Sequence, residues 1–170
     1  MGAADAVLHL ATRIPPAAEM GRPGAWAEND RLRAEASRLL VDAALAARTA
    51  TYVQPSVTFV YRPEGPADEE TPLSEVADSL ASALAAEEEA ARFARAGRRG
   101  VVLRLGLLDG PGTGNRAPVP TFGATLHAED AGRALVAALS AESGVYNVCR
   151  DGERVSNARF KRATEWRPEL

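Results

Sequence analysis

Apolar residues in this chain occur either in short continuous runs or at helical spacing. The runs at residues 6–11 and 101–108 are typical of parallel strands that are buried on both faces. Residues 26–47 and 74–97 instead place apolar side chains three and four positions apart, with charged residues on the opposite side. These two segments predict long amphipathic helices, with Ser74 as the cap of the second.

Weaker signals fill the rest of the chain. Residues 51–54 and 57–61 are rich in β-branched and aromatic side chains and predict a strand that leads into a loop. Asp130 is the expected N-cap of a helix that ends near Ser140, and residues 145–149 predict a last short strand. A helix is also expected over residues 157–164. Strands that alternate with helices indicate an α/β fold with a parallel sheet.

Composition excludes several classes of function. The net charge is -3 with acids and bases interspersed, so nucleic acid is not an expected partner. No apolar run approaches the roughly 20 residues that cross a bilayer, and no secretory signal begins the chain. The one cysteine excludes an internal disulfide. We therefore expect a soluble, cytoplasmic protein that binds neither membrane nor nucleic acid.

The glycine-rich segment 110–114 follows a strand, as a phosphate-binding turn would. A dinucleotide fingerprint must, however, open a helix whose N-terminus receives the pyrophosphate. Residues 115–120 contain two prolines and cannot continue as a helix, and the glycine spacing is GxGxG instead of GxGxxG. We expect an ordinary loop here, and no other segment carries a fingerprint.

Few residues suit acid–base or metal chemistry. Lys161 is the one lysine of the chain, and no tyrosine lies near it in sequence. His9 is expected to be a core residue with a hydrogen-bond partner, and two histidines make a poor metal site, so no metal is predicted. The acidic runs 68–70 and 87–89 are expected to be solvated, although the first could rim a pocket.

Several segments, in chain order, resemble the NAD-dependent epimerase/dehydratase family, which comprises extended and atypical short-chain dehydrogenase/reductases. The similar segments are Asp5–Ala11 (ending HLA), Leu39–Ala44, Tyr52–Tyr61 (for the family's SS…VYG), Asp68–Leu73, Val102–Gly106 with Asp109–Gly112 (for LR…YGPG), Leu126–Asp130 (for VHVDD) and Gly144–Val148 (for G.YNV).

The resemblance implies a partial Rossmann-like parallel sheet with flanking helices, corresponding to the C-terminal half of a doubly wound fold. Residues 1–170 would form a single truncated domain that lacks the glycine-fingerprint half. Within it, residues 1–110 would supply strand–helix units. Residues 111–170 would be a remnant of the substrate-binding region with a C-terminal helix.

NAD or NADP is the cofactor that the resemblance implies, although we expect this chain alone not to bind it. The strand end at Leu10, Ala11 and Thr12 would contact that cofactor. The family's catalytic Ser or Thr falls at Val57, so the flanking Ser56 and Thr58 are the catalytic candidates.

Counting back from Glu87, the family's Tyr-x-x-x-Lys pair falls near Ser79 and Ala83, so that pair is missing. Arg104 and His127 are expected to bind substrate. Because ligand sites of α/β proteins form at the carboxyl ends of parallel strands, Ser56, Thr58 and Arg104 should share one crevice.

Three functions stay open. The chain could descend from NAD(P)-dependent sugar-nucleotide epimerases or dehydratases without performing redox chemistry alone. It could be a cofactor-free isomerase, lyase or cyclase that reuses the pocket of Ser56, Thr58, Arg104 and His127. It could also be a non-catalytic binding or assembly module. A small molecule or nucleotide sugar is the expected ligand, and a second copy or another chain is expected on the first strand.

Overall fold

The computed structural model describes residues 4–62, 64–74, 78–119 and 123–170. Its main sheet contains four parallel strands in the order β1–β2–β3–β6, and a smaller parallel pair joins β4 to β5. The strands are β1 (Ala6–Leu8), β2 (Thr51–Val57), β3 (Arg99–Leu105), β4 (Leu107–Asp109), β5 (Thr125–His127) and β6 (Gly144–Val148).

Helices cover both faces of the main sheet, as the sequence pattern predicts. They are α1 (Ala27–Arg31), a π-helical segment (Leu32–Ala36), α2 (Ser37–Ala46), α3 (Asp78–Arg95), α4 (Ala128–Ala138) and α5 (Ala158–Ala163). The α/β fold with a parallel, helix-flanked sheet is thus confirmed.

Side chains of β3 alternate between two cores. Val101 and Leu103 pack with Ala134 of α4 and Phe160 of α5, whereas Val102 packs with α2 and α3 on the opposite face. This alternation is the period-two geometry of a strand that is buried on both sides. It explains why residues 101–103 and Leu105 are all apolar.

The predicted second strand is observed as β2, but it ends at Val57 and does not continue to Tyr61. The main ladder ends where Val57 lies opposite Leu105, and in the described ranges no strand of the main sheet pairs with residues 58–60. Residues Thr58–Val60 therefore form a 3₁₀ turn, in which the Tyr61 N–H lies 3.2 Å from the Thr58 carbonyl oxygen.

The Ser74 hydroxyl donates to the carbonyl of Val60 at 2.9 Å. Residues 75–77, which follow it, lie outside the described residues, so the prediction that Ser74 caps α3 stays a prediction. The predicted cap at Asp130 is wrong. His127 caps α4 in place of Asp130, since its Nδ1 accepts from the N–H of Glu129 at 3.3 Å. The Asp130 carboxylate is buried and accepts the backbone N–H groups of residues 169 and 170, so it anchors the C-terminal segment.

Strand β1 lies at the edge of the main sheet and pairs with β2 on one side. The N–H of His9, just after the strand, donates to the Val53 carbonyl at 3.1 Å. Because successive amides of a strand point to opposite sides, the Leu8 N–H faces the open side. Among the described residues, no strand covers that side.

Candidate functional site

A chain of buried polar side chains joins the carboxyl ends of β2, β3 and β6. Its centre is the ion pair between Arg104 on β3 and Glu87 on α3, in which Nη2 lies 2.6 Å from Oε2 and Nε lies 3.0 Å from Oε1. Ser56 on β2 donates its hydroxyl proton to Glu87 Oε1 at 2.5 Å. One carboxylate therefore holds the ends of two neighbouring strands.

Tyr61 extends this chain to β6. Arg104 Nη1 donates to the Tyr61 hydroxyl at 2.8 Å, and that hydroxyl donates to Asn147 Oδ1 at 2.9 Å. The guanidinium carbon also lies 5.2 Å from the centre of the tyrosine ring, within the range of a cation–π contact. The backbone N–H of Asn147 in turn donates to Glu69 Oε1 at 2.7 Å.

Burial decides the protonation of this network. It raises the pKa of the Tyr61 phenol, and the nearby Arg104 charge only partly offsets that effect. Burial also opposes the charge of Arg104, but the hydrogen bonds and the charge of Glu87 outweigh it and raise the arginine pKa. At neutral pH the phenol keeps its proton and the guanidinium stays charged. Tyr61 is thus not tuned for acid–base work near pH 7.

Of the four residues predicted for catalysis or substrate binding, the structure brings two together. Ser56 and Arg104 meet through Glu87, and both are buried. Thr58 is also buried, and its hydroxyl oxygen has no hydrogen-bond partner among the described residues. His127 instead lies at the end of β5. The catalytic and substrate-binding roles given to these residues stay predictions.

His127 packs against the glycine-rich loop. Gly110 has φ +98, and a β-carbon at that position would lie 2.4 Å from His127 Nε2. Both the backbone angle and the imidazole therefore require glycine at this position. This contact explains why the first residue of segment 110–114 is glycine, and no bound phosphate is needed to explain it.

Leu10, Ala11 and Thr12, the predicted cofactor contacts, form an exposed turn after β1. The Thr12 hydroxyl donates to Asn29 Oδ1 at 2.8 Å, which fixes the turn to α1. His9, just before the turn, is buried, with Nδ1 3.1 Å from Gln54 Oε1. The prediction that His9 is a hydrogen-bonded core residue is confirmed.

The prediction that residues 87–89 are solvated is wrong for Glu87, which is buried. Glu87 follows Ala83 by one helical turn and precedes Ala90 by another, and both alanines are buried against the sheet. This spacing was the available signal, because a carboxylate on an apolar helical stripe requires a buried partner. The sequence reasoning also missed Tyr61 and Asn147.

Other reactive groups are engaged elsewhere. Lys161 Nζ lies 2.8 Å from both carboxylate oxygens of Asp151. Burial raises the pKa of the Cys149 thiol to about 12, so it stays protonated and unreactive. Ala83 is buried in α3, and the side chain of Ser79 lies outside the described residues.

The described residues fit NAD(P) only in part. The cofactor contact predicted for the exposed turn after β1 stays a prediction. A strand followed by a glycine-rich turn and a helix N-terminus, which would receive the pyrophosphate, does not occur in the described ranges. The loop from Gly110 is followed by irregular backbone and is filled by His127. These residues therefore do not form a complete site for the cofactor.

The described residues contain neither a metal-binding cluster nor a membrane-spanning helix. No group of three or more His, Cys, Asp or Glu side chains in these ranges could hold a metal ion. Within the same ranges, no helix has the length and apolar character needed to cross a membrane.

The main sheet and its flanking helices form the Rossmann-like fold of nicotinamide-dependent epimerases and dehydratases. RMD from Pseudomonas aeruginosa, solved with NADPH, matches with a TM-score of 0.79 and 23% identity over 98% of this chain and 77% of that one. The UDP-Glc/GlcNAc 4-epimerase of Campylobacter jejuni also matches at 0.79, with 16% identity over 98% and 73%. UDP-glucuronic acid 4-epimerase of Bacillus cereus with NAD matches at 0.78, with 14% identity over 98% and 70%.

One relative is similar in sequence. A 3-diazoavenalumate denitrifying reductase from a Streptomyces species is 36% identical over 143 residues, which cover 71% of this chain and 47% of the relative. The chain thus spans about half the length of the curated relative that it matches. No protein-family sequence model matches the chain.

Proposed function

We propose that this chain forms the substrate side of an NAD(P)-dependent reductase for a small organic molecule, and that it does not perform the redox step by itself. The observation that carries the proposal is the buried network around Arg104, which fixes the carboxyl ends of β2, β3 and β6. Ligands of α/β proteins bind at that edge of the sheet. The described residues supply that edge but only part of a cofactor site.

Sequence similarity favours a reductase over a sugar-nucleotide epimerase. The denitrifying reductase is 36% identical to this chain, whereas the epimerases of Campylobacter and Bacillus reach 16% and 14%. The lower values support a common fold only. The reductase therefore gives the better guide to the reaction class.

The available acid–base groups favour the same choice. Interconversion of an alcohol and a carbonyl needs a side chain that exchanges a proton near neutral pH. Ala83 stands where the resemblance places a lysine, Lys161 is held by Asp151, and burial raises the pKa of Tyr61. Transfer of a hydride to a diazonium carbon would form a C–H bond, break the C–N bond and release neutral N2, so no alcohol oxygen would have to be protonated. We therefore propose a diazo compound, or another substrate without such an oxygen.

A non-catalytic binding or assembly unit is the second candidate. It is favoured by the internal pairing of Ser56 and Arg104 with Glu87, because the hydroxyl and the guanidinium already donate to that carboxylate. The open edge of β1 is consistent with the same interpretation, since it offers a place for a partner strand.

Thermal denaturation with test ligands distinguishes these functions. A compound that binds only the folded chain stabilises it by about 2.7 kcal/mol at one hundred times its dissociation constant. We expect 3-diazoavenalumate to raise the melting temperature and UDP-glucose to leave it unchanged. A shift with UDP-glucose alone would favour the epimerase lineage, and no shift with either compound would contradict a substrate site.

The proposal that the chain does not perform the redox step by itself is tested by following NADPH absorbance. The chain alone, with 3-diazoavenalumate, is expected to consume no NADPH above a protein-free control. Consumption that scales with the concentration of the chain would show that it performs the redox step unaided.

A further inference from the structure

A pocket of about 330 Å³ lies beside the loop that follows β2. Its volume falls within the range of about 300–1,000 Å³ that is usual for small-molecule sites. None of the predicted catalytic, substrate-binding or cofactor residues lines it. The lining residues are Arg62, Glu64, Ala67, Thr71, Pro72 and Arg154.

Backbone hydrogen bonds hold the walls of this pocket. The Ala67 N–H donates to the Arg154 carbonyl at 3.0 Å, and the Ser156 N–H donates to the Ala67 carbonyl at 2.8 Å. Tyr61 and Leu73 form an antiparallel bridge at the base of the same loop. Hydrogen-bonded backbone therefore forms part of the pocket walls, so the pocket does not depend on side-chain positions alone.

The Arg154 guanidinium is held in place by one hydrogen bond, and its Nε–H donor has no acceptor among the described residues. Its Nη1 donates to the Gly65 carbonyl at 3.1 Å, while its buried Nε has no acceptor among the described residues. Gly123, at φ +80, lies directly against it, and a β-carbon there would come within 2.5 Å of Nε. A larger residue would displace the guanidinium, and the positive φ also favours glycine at this position.

Positive charge is uncompensated in the pocket. Arg62 and Arg154 form no ion pair with any described residue, whereas Arg104, Arg150 and Arg159 each pair with a carboxylate. Glu64 is the one acidic lining residue, so two cations face one anion.

The neighbouring acidic run, residues 68–70, does not neutralise these arginines. The Asp68 carboxylate accepts from the Thr71 hydroxyl at 3.0 Å and from the N–H of Glu70 at 3.1 Å. Arg159 pairs with Glu69, at 3.7 Å, and with Glu70. The run therefore borders the pocket, but its carboxylates bind Thr71, Arg159 and backbone N–H groups and do not pair with Arg62 or Arg154.

From these contacts we infer that the pocket binds a small oxyanion group, a carboxylate or a phosphate, carried by a compact organic molecule. Guanidinium groups offer planar pairs of N–H donors that match such oxyanions. Ala67 and Pro72 supply the apolar wall for the body of the ligand. The site goes beyond the proposed function, because none of the residues proposed for the substrate edge lines it.

Amide NMR with two simple anions tests the assignment. Benzoate and inorganic phosphate are titrated separately at constant ionic strength, and the amide signals of Ala67 and Thr71 are followed. At least one anion is expected to shift both signals to saturation. Tighter binding of benzoate would assign a carboxylate ligand, and tighter binding of phosphate would assign a phosphate ligand.

Variants with opposite expected effects make the test specific. Arg62→Ala should weaken binding about tenfold, as expected for the loss of a hydrogen bond to a charged group. Glu64→Gln should tighten binding, because it removes the opposing charge. Arg22→Ala, at an exposed arginine that does not line the pocket, should change nothing.

Shifts that never saturate, or that are the same in Arg62→Ala and the unmodified chain, would overturn the assignment. Arg154→Ala should weaken binding as well, but it also removes the bond to Gly65. If that variant unfolds, the comparison of Arg62→Ala with Glu64→Gln decides the question.

Discussion

Arg104 and Glu87 form a two-pronged ion pair in which the arginine side chain is 7% exposed and the glutamate 9%. The two residues come from β3 and α3, so the pair ties the sheet to the helix that covers it. Both charges have lost most of their hydration, and each depends on the other for compensation.

Removal of one partner should therefore destabilise the folded chain. We expect Glu87→Ala to lower the free energy of unfolding by about 3–5 kcal/mol, because it leaves the Arg104 charge buried and unpaired. The double substitution Glu87→Leu with Arg104→Met should recover most of that loss. Urea denaturation of the three chains measures both effects.

Glu88→Ala is the matched control for this prediction. Glu88 is the next residue of α3 and its side chain is 67% exposed, so its loss should change stability by no more than about 0.5 kcal/mol. Equal effects of Glu87→Ala and Glu88→Ala would show that the buried pair does not stabilise the fold.

Asp151 gives a prediction about pH. Its hydrogen bonds to Lys161 and Asn157 lower the carboxyl pKa below its ordinary value of 3.8. The stabilisation is therefore complete above pH 3.8 and is lost as the pH falls through the lowered pKa of the folded chain. Because the Asp151 side chain is 58% exposed, the contribution is at most about 1 kcal/mol.

Asp151→Asn should thus be less stable than the unmodified chain at pH 6, and this difference should shrink on acidification below pH 3.8. Urea denaturation at a series of pH values provides the measurement. A difference that stays constant down to pH 2 would contradict the assigned cause.

The open edge of β1 predicts association with a second copy or another chain, or poor solubility. Bare strand edges with free N–H and C=O groups are seldom left exposed. Ala6→Lys should weaken this association, and Ala47→Lys, at an exposed helix end, should not. Sedimentation equilibrium distinguishes the two results.

Hydrogen exchange refines this prediction. Association through the strand should protect the Leu8 amide, which faces the open side, about as well as the His9 amide, which already bonds to Val53. A monomer at tens of micromolar with a fast-exchanging Leu8 amide would contradict association through β1.

Local patterns in the sequence were sufficient for the fold class. The run at residues 101–108 predicted the buried strand β3, and Gly97 marked the end of α3, which the structure places at Arg95. The predicted continuation of β2 over residues 58–61 was wrong because the length of a strand depends on its partner, and β3 ends at Leu105. Periodicity alone does not contain that information.

The site was harder to predict because its contacts are distant in sequence. Tyr61 and Asn147 are 86 residues apart, and they meet only because β6 lies beside β3 in the sheet. Glu87 belongs to the acidic run 87–89, which the sequence predicted to be solvated. Its position on the stripe of Ala83 and Ala90 would have identified it as buried.

Titration calorimetry of the isolated chain with NAD, NADH, NADP and NADPH tests the central claim most directly. The described residues lack the helix N-terminus that compensates a pyrophosphate, so no binding in the micromolar range is expected for any of the four. Micromolar binding of any one of them would contradict the claim that this chain forms the substrate side without a complete cofactor site.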